Sequence, residues 1–284
     1  MNNRNIYPID ITTGEIVPGI SMQDAEDRKR AKIFADLRRQ KSFEQFLRKQ
    51  DHKALGSYIL SERKANQFKE LDPQDVARLV YLAAFLDLDN NLIYRGRYIR
   101  PNDFVKLLGV SEATAKRFWR NVRGTYIIED KDKKLTFCRT LFRGKDRSKN
   151  SKLGKVFIKS LRNLYKNTPV SKHKYLGYVF MLFEYVNTEY NILSWNPDEK
   201  ELESVNPMTI KQFCEVIGYD PQHSSLLEKV YREIKFPTKN GQVQHLCAFV
   251  STGNSSDNYI VLNPRIYYAG SDHEKVDTFA LFFK

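Results

Sequence analysis

Ser111, Glu112, Lys116, Arg117 and Arg120 fall within the run S-E-A-T-A-K-R-F-W-R-N-V, in which Thr114, Ala115, Phe118 and Val122 recur at helical spacing. A helix with this pattern buries one face and turns its hydroxyl, carboxylate and cations outward. Those groups suit the edge of a base pair. A guanidinium donates two parallel hydrogen bonds to guanine, so Arg117 is the candidate base reader, with phosphate clamping by the same side chain as the alternative. Downstream, Lys131, Lys133 and Lys134 at an expected hairpin tip, then Arg139, Arg143, Lys145 and Arg147, supply cations for backbone phosphates or an adjacent minor groove. An ordinary charged surface is the competing reading. A second run offers Gln222, His223, Ser225, Lys229 and Arg232, where Gln222 suits adenine and Lys229 a phosphate. Glu228 and Glu233 in that run oppose phosphate, so dimerisation or partner docking competes with DNA contact there.

Signatures of catalysis are missing from the pattern. No GxxxxGK[ST] phosphate loop occurs, and the five histidines (52, 173, 223, 245 and 273) form no HxH or HExxH pair. No catalytic residue, metal site or cofactor is expected, and the chain is read as not an enzyme. Cys138, Cys214 and Cys247 are odd in number and lack CxxC spacing, which points to reduced, largely buried thiols.

The helices that must hold these side chains are written twice. Phe104, Leu107, Leu108, Gly109, Phe118 and Val122 match Phe213, Val216, Ile217, Gly218, Leu227 and Tyr231 in the same register. Relative to the glycine, each copy has an aromatic residue at minus five, aliphatics at minus two and minus one, and apolar residues at plus nine and plus thirteen. A short helix must stop, turn through a residue that tolerates positive φ and start a second helix packed on the first. The expected fold is α+β, mainly α, with two tandem winged helix-turn-helix units and a basic N-terminal helical extension.

The boundaries read as follows: an N-terminal arm and basic helix over 1–71, a first winged helix over 72–145, a basic linker and helix over 146–174, and a second winged helix over 175–284. Asp72-Pro73 opens the first unit as cap and first helical residue. Tyr126–Ile128 and Leu135–Phe137 flank its wing, and a short connector or hairpin carries the chain from about residue 50 to Asp72. In the second unit Tyr175–Val186 reads as one helix, Thr209–Gln212 as a capping box, Asp220-Pro221 as a helix start, and 244–250 with 259–262 as wing strands. An acidic insert, Asp198–Glu203, has no counterpart in the first unit.

Lys and Arg total 47 against 34 Asp and Glu in 284 residues, a formal net charge of +13 that favours a polyanionic partner. The charge is uneven: residues 139–174 carry twelve basic residues and one acid, whereas 198–284 carry nine basic and twelve acidic. No segment reaches the roughly 20 apolar residues needed to span a bilayer, so no membrane partner and a cytoplasmic location are expected.

The closing segment Tyr259-Ile260-Val261-Leu262-Asn263-Pro264-Arg265-Ile266-Tyr267-Tyr268-Ala269-Gly270 resembles the Asn-Pro-aromatic-Gly strand end after the wing in plasmid replication initiators of Gram-positive bacteria and related phage proteins. The opening Ile11-Thr12-Thr13-Gly14-Glu15 is similar to the starts of proteins from such mobile elements. The resemblance implies paired winged helices that divide dimerisation and DNA contact. The basic N-terminal helix and the acidic insert depart from that pattern. The expected function is site-specific binding of double-stranded DNA in phage or plasmid replication initiation. Transcriptional regulation of the same element is the alternative, and a protein-interaction factor for a host polymerase or defence protein the third. A homodimer and a host replication or transcription protein are the further partners expected.

Overall fold

Buried and half-buried residues alternate through Tyr58-Ile59-Leu60-Ser61-Glu62, which is the pattern of a strand with one face against a core. This strand, β1 (Tyr58–Glu62), lies where the sequence suggests a connector. The computed structural model describes residues 56–64, 67, 68, 70–138, 140–143, 152–238, 241–251, 258–270, 272 and 283, all within the compact unit Leu55–Lys284. The expected N-terminal arm and basic helix before residue 56 lie outside the described residues, as do Arg139, Lys145 and Arg147. The described residues form a mixed α+β fold with seven α-helices.

Helix α1 (Pro73–Ala83) starts where Asp72 accepts a hydrogen bond from the Asp75 N–H at 3.0 Å. Every residue from Asp75 to Ala83 is buried, so α1 is central rather than amphipathic. Its two buried charges satisfy each other: Arg78 meets Asp75 at 2.5 Å, and Asn121 donates to the second carboxylate oxygen at 2.8 Å. A short ribbon follows, β2 (Ile93–Tyr94) and β3 (Arg97–Tyr98). After a 3₁₀ turn at Pro101–Asp103 come α2 (Phe104–Leu108), Gly109 at φ +66°, and α3 (Glu112–Val122). The Phe104 ring packs edge-on against Phe118 and Trp119 at 5.7 and 5.9 Å, locking the two helices together. The antiparallel pair β4 (Ile127–Glu129) and β5 (Leu135–Phe137) forms the expected hairpin, and β6 (Leu141–Phe142) turns back onto β1.

The second half opens with β7 (Leu153–Phe157) and α4 (Ile158–Asn167), in the stretch expected as a basic linker and helix. Val156, which with Ile158, Leu161 and Leu164 suggests a helix in the sequence, belongs to the strand. The helix expected over 175–186 is instead α5 (His173–Met181) followed by a 3₁₀ turn at Phe183–Tyr185. Then come α6 (Ile210–Val216), Gly218 at φ +69°, a 3₁₀ turn at Pro221–His223 and α7 (Ser224–Glu233). The Thr209 hydroxyl and Gln212 amide cap α6 reciprocally, as the capping box predicts. Asp220 starts the 3₁₀ turn rather than α7 itself. The single strand expected over 244–250 is two: β8 (Lys235–Pro237) pairs with β9 (Val243–His245), and β10 (Cys247–Ser251) with β11 (Asn258–Leu262). A last strand, β12 (Tyr267–Tyr268), pairs with β7.

The halves share one hydrogen-bond frame. Leu92 N–H donates to Leu135 O at 2.8 Å, and Leu193 N–H donates to Ile260 O at 2.9 Å. Ile99 N–H returns to Leu92 O as Met208 N–H returns to Leu193 O, and Phe137 N–H meets Asn90 O as Leu262 N–H meets Asn191 O. Asn90 and Asn191 both take positive φ, 65° and 56°. The repeat is therefore longer than the six-residue pattern legible in the sequence.

The halves also close on each other about one central sheet in the order β12-β7-β1-β6. Its inner strands begin the two halves and its outer strands end them. Ile59 opposes Val156 at the antiparallel centre, both fully buried. Helices α1 and α5 meet so closely that a Cβ on Gly177 would overlap the Pro73 carbonyl oxygen. A glycine is obligatory there. Arg63, nearly buried, reaches from the first half to donate to Val186 O at 2.9 Å and to Asp198 at 3.3 Å.

Candidate nucleic-acid interface

The N-terminus of α3 is set by Ser111, whose hydroxyl oxygen accepts from the Thr114 N–H at 3.3 Å. Ala115, Phe118 and Val122 are buried, which leaves Ser111, Glu112, Lys116, Arg117 and Arg120 on the exposed side. Lys116 pairs with Glu112 at 2.7 Å, and its hydrogen bond and charge hold the Glu112 carboxyl below its ordinary range. That pairing occupies Lys116. Among the described residues neither Arg117 nor Arg120 has a side-chain partner, so both guanidiniums are free to donate.

The hairpin after α3 is held to the helix by Arg123, which pairs with Glu129 at 3.1 Å and lies 5.6 Å from the Trp119 ring. At the hairpin tip the Asp130 carboxylate accepts from the Lys134 N–H at 2.8 Å, and Lys133 adopts φ +60°. Lys131 and Lys133 are exposed. Lys134 is half-buried, with its ammonium 3.9 Å from Asp132 and 5.0 Å from the Tyr98 ring centre. Arg143 sits differently from the expected phosphate ligand. Its guanidinium donates to Leu86 O at 2.8 Å while Arg162 donates to Ala84 O at 2.5 Å, so the two arginines satisfy carbonyls just past the end of α1. Burial pushes the Arg162 pKa down, and its guanidinium lies 4.2 Å from the Phe85 ring centre.

In the second half Gln222 and Lys229 are exposed, but their surroundings differ. Arg232 pairs with Glu228 at 2.5 Å and covers the Phe249 ring at 4.8 Å. Glu233 pairs with Lys172 at 2.6 Å, and that lysine holds its carboxyl low. His223 lies 3.3 Å from Asp220. Leu226 on α7 is 57% exposed and Val216 on α6 is 37% exposed, so this surface, though it keeps the exposed cations Lys211 and Lys229, is more apolar and more charge-paired than that of α3.

One group of neighbouring cations falls outside the set expected from the sequence. Arg95, Arg97 and Arg100 are exposed on and beside the β2–β3 ribbon. The signal was available: Arg95-Gly96 between Tyr94 and Arg97 is a two-residue hairpin turn, and both turn residues take positive φ, 51° and 78°.

The closing motif has a structural task. Asn263 is buried, donates to His245 O at 2.8 Å and accepts from the Arg265 N–H at 2.9 Å, which aims the chain into β12. Cys214 and Cys247 are buried thiols outside any disulfide, and burial raises the Cys214 pKa to about 11. Cys138 is half-buried, and its thiol donates to Thr125 O at 3.1 Å. The described residues contain no group of three His, Cys, Asp or Glu able to hold a metal, and no helix among them is long and apolar enough to cross a membrane. Comparison with known protein families, with curated proteins and with solved structures finds no match.

Proposed function

We propose that each half of Leu55–Lys284 is a winged helix and that the chain is a non-enzymatic, site-specific double-stranded DNA-binding protein. In this reading α3 enters the major groove, Arg117 reads a base pair, and the β4–β5 hairpin lies along the backbone. The observation that carries it is the unpaired state of Arg117 and Arg120 on a capped, exposed helix beside a lysine-tipped hairpin. Structural arginines in this fold are engaged, as Arg78, Arg143 and Arg162 are, so free ones on one face point outward to a ligand. The likeness of the Asn263-Pro264 segment to plasmid and phage initiators favours replication initiation, with transcriptional regulation of the same element as the alternative. The paired charges and exposed Leu226 of the second half favour a protein contact there, through a second copy or a host replication or transcription protein.

Selection of bound duplexes from a random pool tests this reading. A consensus sequence is expected, and its position in the source DNA separates the two roles: repeats at an AT-rich origin for initiation, an operator over a promoter for regulation. Affinity should fall steeply with salt. Tight binding insensitive to salt, or no consensus, overturns it.

A further inference from the structure

We infer that the β2–β3 ribbon is a third nucleic-acid contact, a phosphate clamp built beside the hairpin and separate from base reading; this rests on the DNA-binding function proposed above. Arg97, Tyr98, Arg100, Asn102 and Asp103 line an open cleft of about 490 Å³. Arg97 and Arg100 place cations at its wall. Asp103 offsets part of that charge: one of its carboxylate oxygens accepts from the Arg100 N–H at 2.9 Å, and the other lies 3.7 Å from the Arg97 guanidinium. The Arg97 side chain is 74% exposed even so, leaving most of its donors available.

The ribbon is welded to the hairpin that the proposed function already places on DNA. Asn91 bridges to Thr136, whose hydroxyl donates to the Asn91 side chain at 2.7 Å, and Leu92 N–H donates to Leu135 O. The Lys134 ammonium sits 5.0 Å from the Tyr98 ring centre, so the hairpin cation and the ribbon aromatic share one surface. Arg95, at the ribbon tip and 5.2 Å from the Tyr94 ring, extends the cationic row. A row of cations with planar donors along a rigid edge matches a run of phosphodiesters, which repeat at fixed spacing whatever the bases.

The test uses the full chain with Arg97→Ala/Arg100→Ala, measured on the selected duplex and on a random duplex across a salt series. Losing two phosphate contacts should flatten the slope of log affinity against log salt by about 2. Affinity for both duplexes should fall by the same factor, leaving the preference between them unchanged, and hydroxyl-radical protection should shorten at one flank of the site. The double variant Arg97→Lys/Arg100→Lys should restore most of the slope, separating charge from folding. An unchanged slope in the alanine variant, with Arg117→Ala still weakening specific binding, overturns the clamp and leaves the DNA-binding reading standing. A wild-type chain with no salt-sensitive duplex binding overturns both.

Discussion

The two halves leave the same hydrogen-bond frame at the same place and come back to it, but carry opposite charge on the way. Between Leu92 and Ile99 the first half sends out the ribbon with Arg95 and Arg97; between Leu193 and Met208 the second sends out the segment holding Asp198, Glu199, Glu201 and Glu203. The acidic insert that looks unmatched in the sequence thus has a positional counterpart, and its charge is used differently. Burial alone would raise the Asp198 pKa, but hydrogen bonds and charge from Lys152 and Arg63 outweigh it and hold the carboxyl low. Glu199 accepts from the Lys200 and Glu201 N–H groups at 2.8 and 3.0 Å. One excursion leaves its arginines mostly exposed, and the other uses Asp198 to tie down Arg63 and Lys152. A shared hydrogen-bond frame therefore does not imply a shared surface.

The largest expected effect breaks the frame that makes the comparison valid. Gly177→Leu forces a side chain into the Pro73 carbonyl, and a cost of about 3 kcal/mol or more is expected from such overpacking. Both halves should melt together in one transition, read by circular dichroism and by Trp119 and Trp195 fluorescence. Two separated transitions would mean that the halves fold independently.

Arg117→Ala on α3 and Gln222→Ala on the 3₁₀ turn that leads into α7 probe unequal surfaces of the two halves. The first should lose about 1 to 3 kcal/mol on the specific duplex and relax preference at one base pair, as expected for a bidentate base contact. The second should leave DNA affinity within experimental error. Equal losses on specific and random DNA would demote Arg117 to a clamp, and a larger loss at Gln222 would reverse the assignment of the halves.

Gly109→Val and Gly218→Val sharpen the structural side. Both glycines take positive φ in open space, so strain of about 1 to 3 kcal/mol, similar at the two sites, should appear in chemical denaturation. In the folded fraction only Gly109→Val should weaken DNA binding. A melting temperature unchanged by either would show that the turn does not need glycine.

The smallest effect lies at the seam. His173 on α5 is buried, faces the carbonyls of Tyr165 and Thr168 through Nε2, and has no hydrogen-bond partner at Nδ1 among the described residues. Burial pushes its pKa below the ordinary 6.5. The stability it contributes is then full above 6.5 and is lost as pH falls through the lowered value, because the unfolded chain binds a proton that the folded ring resists. His173→Gln should flatten denaturation midpoints measured between neutral and mildly acidic pH; a slope identical to wild type would rule out this residue as the source.

Local chemistry is legible in the residues themselves: Gly109 and Gly218 as left-handed turns, the Ser111 cap, the Thr209–Gln212 box and the β4–β5 hairpin all depend on groups a few positions apart. What stays hidden depends on distant partners. Tyr58–Glu62 reads as a connector because its partners, Leu141–Phe142 and Leu153–Phe157, lie far along the chain. Leu153–Lys155 reads as linker because of Lys152 and Lys155, and Val156 reads as helix together with Ile158, Leu161 and Leu164, although it is buried in β7. In the site, the α3 cations follow from helical spacing, but nothing in the spacing separates the available Arg117 from Arg143, whose guanidinium is engaged by Leu86 O.

The central sheet sets a waiting time during synthesis. Strand β1 leaves the ribosome long before β7, and at the usual 5–20 residues per second the gap is on the order of 5 to 20 s. Through that interval Tyr58, Ile59 and Leu60 present an unpaired apolar edge, a template for pairing with a neighbouring nascent chain. A gene fragment ending after β6 would make the exposure permanent, since β7 supplies the partner along the whole of β1. The two halves can be told apart by the charge on their surfaces, yet neither can be produced alone without leaving an open strand, and slower growth or a holding chaperone should raise the soluble yield of the full chain more than any truncation would.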